Sequence, residues 1–98
     1  GAEELLGRVL ERRERVLGSN HPDTLQTVNN LGLALYNQER DEEAEELFRW
    51  ALEGLDQTLG PEHPATAKAL ENLVNVLESQ GKEEEIQHLL QSMGYSSD

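Results

Sequence analysis

An all-α stack of helical hairpins is predicted by three observations. Apolar residues recur at steps of three and four in five segments of the 98-residue chain, which places each set on one helical stripe. Glycine and proline fall between the segments rather than inside them. The chain also copies itself: "LGSNHPDTL" (Leu17–Leu25) returns 42 positions later as "LGPEHPATA" (Leu59–Ala67). The copy extends outward, since Asn30, Leu31 and Leu35 fall on Asn72, Leu73 and Leu77, and "AEELLGRVLE" from Ala2 falls on "AEELFRWALE" from Ala44. A period of this length marks stacked supersecondary units.

The first segment, Ala2–Leu17, carries Leu5, Leu6, Val9, Leu10 and Leu17 and corresponds to the second helix of a hairpin. Asp23–Asn37 follows with Leu25, Val28, Leu31 and Leu35, and Asp41–Leu59 with Ala44, Leu47, Phe48, Ala51, Leu52 and Leu55. Ala65–Gln80 and Glu83–Met93 repeat that pair with Leu70, Leu73, Val76 and Leu77, then Ile86, Leu89, Leu90 and Met93. Each "LG" ends a helix with a residue able to take positive φ, and each "HP" opens the next with proline in its first turn. "NQERDEE" and "SQGKEEE" are turns short enough to force antiparallel neighbours. One domain is expected: a partial repeat (2–17), a full repeat (23–59), a terminal repeat (65–93) and a polar tail (94–98), about two and a half repeats and five antiparallel helices in all. No alternating run suggests strand.

Composition narrows the function. The absence of cysteine excludes disulfides and thiolate metal sites. No apolar run is long enough for a signal peptide or a membrane span, so a soluble, cytoplasmic protein is expected. The net charge of −12 lies wholly in residues 21–98, because residues 1–20 balance Arg8, Arg12, Arg13 and Arg15 against an equal number of glutamates. That acidity repels phosphate backbones, so nucleic acid is not an expected partner. The arginines interleave with Glu11 and Glu14 at helical spacing, which favours a salt-bridged face over a phosphate site. No phosphate loop, nucleophile elbow or metalloprotease motif occurs, so neither an enzyme nor a cofactor is expected.

"VNNLGLALYNQERDEEAEELFRWAL" (Val28–Leu52) resembles a tetratricopeptide repeat, with Val28, Leu31, Gly32, Leu35, Ala44, Phe48 and Ala51 at the pattern positions of that family. The 42-residue period with "LGxxHPxT" is similar to the subclass found in kinesin light chains and in the sensor regions of NACHT and NB-ARC signalling proteins. Gly32 and Ala44 are small, as close crossing of two helices requires, whereas the second copy places Val74 and Ile86 there, which should widen the last hairpin.

The resemblance implies peptide binding on a concave face lined by the first helix of each pair. The groove positions are then Gln26, Asn29, Asn30, Leu33, Tyr36 and Asn37 in one unit, and Lys68, Glu71, Asn72, Asn75 and Ser79 in the next. Asn30 and Asn72 share one repeat position, where their amides can bond a peptide backbone or be satisfied within the protein. If they serve binding alone, replacing both should leave stability unchanged. His21 and His63 lack a third ligand at metal spacing and suit helix capping better, and His88 stands alone. Trp50 matches Arg8 in the preceding copy, so it either covers a neighbouring helix or anchors another chain.

The expected function is a protein–protein interaction module, a slice of a longer array, taking a peptide or protein surface and favouring a basic one. The alternative is structural self-association without a peptide ligand. Leu5, Leu6, Val9 and Leu10 lack the first helix of their own hairpin, so this stripe, with Trp50, is the expected surface for a homodimer about a twofold axis.

Overall fold

The computed structural model describes residues 2–18 and 20–95. Among these, the chain forms five helices and no strand: α1 (Ala2–Leu17), α2 (Pro22–Asn37), α3 (Asp41–Leu59), α4 (Pro64–Ser79) and α5 (Glu83–Ser92). The expected helices are all present, with α2 and α4 each beginning one residue early, at proline. Residues 96–98 of the expected tail, and the side chain of Leu6, lie outside the described residues.

Both repeated loops end in the same cap. His21 Nδ1 accepts from the Asp23 amide at 3.1 Å, and His63 Nδ1 accepts from the Ala65 amide at 3.0 Å. Each ring therefore satisfies one of the amides that a helix start leaves without a partner. Pro22 and Pro64 follow at a position that has no amide to satisfy.

The α2–α3 hairpin closes through its small residues. A Cβ on Gly32 would lie 2.6 Å from the Phe48 ring, and one on Gly54 would lie 2.6 Å from both methyls of Leu25. Ala44, Phe48 and Ala51 are fully buried in this contact, with Leu25 and Val28. α4 continues the core with Ala69, Leu73, Val76 and Leu77. The second hairpin is looser, as its larger residues predict: Val74 and Ile86 are only partly buried, and α5 has no fully buried residue. At the other end α1 packs on α2 and on no other helix among the described residues.

A polar clasp joins the hairpins at their turns. The Glu45 carboxylate accepts from Lys82 Nζ at 2.9 Å, Gln80 Nε2 at 2.8 Å and Arg49 Nε at 2.9 Å. Partial burial acts to raise the Glu45 carboxyl, but the hydrogen bonds from Lys82, Gln80 and Arg49 outweigh it and hold the group below the ordinary carboxylate range. Nearby, Ser79 Oγ donates to Asp41 Oδ2 at 2.7 Å.

Candidate functional site: a groove between the first helices

α2 and α4 lie side by side because each is the first helix of its hairpin, and the loop between α3 and α4 repeats the turn that precedes α2. Between them is an open groove of about 560 Å³. Gln26, Asn29, Asn30, Leu33 and Lys68 line it, so five of the expected positions converge on one surface. Gln26, Asn30 and Lys68 are exposed, while Leu33 is half-buried against the core.

Asn72 is not at the groove surface. It is buried, and its Nδ2 donates to Asn29 Oδ1 at 3.1 Å. The two amides thus bridge α2 and α4, so Asn72 holds the groove's walls together. The expectation that Asn30 and Asn72 act alike is corrected accordingly. They share a repeat position, but Asn72 has a preceding first helix to bond to, whereas Asn30 has none in this chain.

The remaining expected positions divide. Tyr36 lies at a separate, shallower recess with Glu39, Asp41 and Ser79. Asn37, Glu71 and Asn75 are exposed on the outer turns of α2 and α4. The groove also uses residues that the first-helix rule did not select. Leu55 and Leu59 come from the end of α3, and His63 and Ala65 from the hinge. The duplicated loop carried that signal, since it places His63 beside the first turn of α4.

Among the described residues no group of three His, Cys, Asp or Glu is placed to hold a metal ion, and both hinge histidines are engaged as caps. No helix is long and apolar enough to cross a membrane.

The self-association residues do not form one uncovered stripe. Leu10 is 7% exposed and belongs to the core, Val9 is half-buried, and Leu5 is 64% exposed. The second hairpin position of α1, Leu10, is covered by α2, which removes it from any surface a second copy could reach. Trp50 is half-buried and packs on the core, which favours its covering role.

The hairpin order, the repeated hinge and the concave face coincide with a family model, tetratricopeptide repeat, that matches residues 1–57. The chain belongs to the tetratricopeptide repeat family. Members of this family serve generally as protein–protein interaction scaffolds, and the all-α hairpin stack is the architecture expected of one. A search among curated proteins finds no match to the chain.

Proposed function

We propose that this tetratricopeptide repeat chain is a slice of a longer array and binds an extended peptide or a protein surface in the groove between α2 and α4. The observation that carries the reading is the convergence of Gln26, Asn30 and Lys68, all exposed, over an apolar floor of Leu33, Leu55 and Leu59. Amides satisfy a peptide backbone in both directions, and an aliphatic floor seats one side chain. The lining itself balances Asp23 against Lys68, so preference for a basic ligand arises from the −12 charge of the whole chain acting at longer range.

Titration of the chain with extended peptides of graded charge, followed by backbone amide shifts, tests the reading. Shifts clustered on Gln26, Asn30, Leu33 and Lys68, weakened by salt and by Gln26→Ala with Asn30→Ala, are expected. Binding of acidic peptides in preference to basic ones counts against the charge argument, and shifts confined to other faces count against the groove.

The self-association reading rests on a different observation. Leu5 is 64% exposed on a helix that has one neighbour. On this reading the chain holds copies of its parent together through α1.

A further inference from the structure

We infer that α1 of one copy docks head-to-tail into a second copy, in the cleft between its α3 and α5. This rests on the self-association reading and replaces its twofold geometry. The two surfaces lie at opposite ends of the stack, so a chain cannot satisfy itself, and the contact is heterologous.

The head is a ridge on α1. Leu5, Arg8, Arg12 and Arg15 are all exposed and follow one another at steps of three and four, so they share one face. Glu4 and Glu11 border it on one side. Nowhere else among the described residues do three exposed cations stand on one helix.

The tail is an open cleft of about 700 Å³. α3 and α5 do not pack on each other, which leaves room between them. Leu52, Leu89 and Met93 form its apolar part, and Glu53, Asp56 and Glu85 its acidic part. Arg49 also borders the cleft, but it is engaged by Glu45 at 2.9 Å and lies 3.9 Å from Glu85, so Glu53 and Asp56 are the acids best placed to meet a new cation. An apolar knob beside a basic ridge thus meets an apolar cleft beside acids. A helix laid in a groove with such anchors is a recurrent docking mode.

Twofold pairing fits less well. An antiparallel pair centred on α1 sets Leu5 opposite Glu14 of the second copy and gives Leu5 no apolar contact. The −12 charge opposes any self-association at low salt, but at physiological ionic strength screening acts beyond about 8 Å and leaves contact pairs largely intact.

A heterologous contact that does not close extends into an open chain. Sedimentation at physiological salt should therefore show the average mass rising with concentration past twice the monomer mass of 11.0 kDa. A head variant, Leu5→Glu with Arg12→Glu, and a tail variant, Glu53→Lys with Asp56→Lys, should each remain monomeric with unchanged helicity. Mixed together, they should form a dimer that grows no further, because one intact head meets one intact tail. A tail variant that still dimerises by itself overturns the head-to-tail contact and leaves α1 self-association standing. A parent chain that stays monomeric throughout overturns both.

Discussion

Asn72 Nδ2 donates to Asn29 Oδ1 across 3.1 Å, and both side chains are buried between the first helices of successive units. Truncating one partner leaves the other buried without its bond. Asn72→Ala should therefore lower stability by about 1–3 kcal/mol, whereas Asn30→Ala, at an exposed position, should change it by less than about 0.5 kcal/mol. Urea denaturation of the two variants separates these outcomes, and equal losses would contradict the placement of the pair.

Ala44 and Gly32 set the α2–α3 distance. Ala44→Leu should overpack the contact and cost roughly 1–3 kcal/mol. Gly32→Ala drives its new methyl into the Phe48 ring, so it too should destabilise despite the better helix propensity of alanine. Melting temperatures above the parent's for both variants would show that the hairpin can relax.

Glu39 occupies φ 63° in the α2–α3 turn, and the repeat-related position in the α4–α5 turn is Gly81, at φ 73°. Left-handed backbone disfavours a residue with a Cβ by roughly 1 kcal/mol. Glu39→Gly should thus be neutral to stabilising, and Gly81→Ala should destabilise by about 1 kcal/mol. Reversed signs in chemical denaturation would mean the two turns differ in geometry.

Glu45 links pH to stability. Its carboxyl is held lower in the folded chain than in the unfolded one, so on acidification the unfolded state takes up the proton first. The contribution is complete above the unfolded carboxyl's range near pH 4–5 and is lost as pH falls through the folded value. Glu45→Gln should cost about 1 kcal/mol at neutral pH and flatten the acid limb of the stability profile. Parallel profiles for parent and variant would remove the clasp from the acid response.

The helices and their order were legible because local signals agreed: apolar stripes, "HP" starts and the repeated hinge. The groove was only half legible. Gln26, Asn30, Leu33 and Lys68 follow from knowing which helix faces inward, but Asn29 and Asn72 bond across a repeat boundary, and no spacing within one unit reveals that. Leu55 and Leu59 enter the groove from the second helix because it runs on to the hinge. Leu10 illustrates the opposite difficulty, since its stripe is continuous in sequence but α2 covers only part of it.

The absence of any fully buried residue on α5 has a consequence for how the chain comes apart. Stacked units lend stability only to their neighbours, so the end with the fewest buried groups opens at the lowest free energy. Amide protons of α5 should exchange with solvent well before those of α2 and α3. Trp50, the chain's single tryptophan, sits in the better-packed hairpin, so its fluorescence follows the late event while far-ultraviolet circular dichroism follows both. The two unfolding curves should then fail to coincide, and a stability obtained from either one alone describes a part of the molecule.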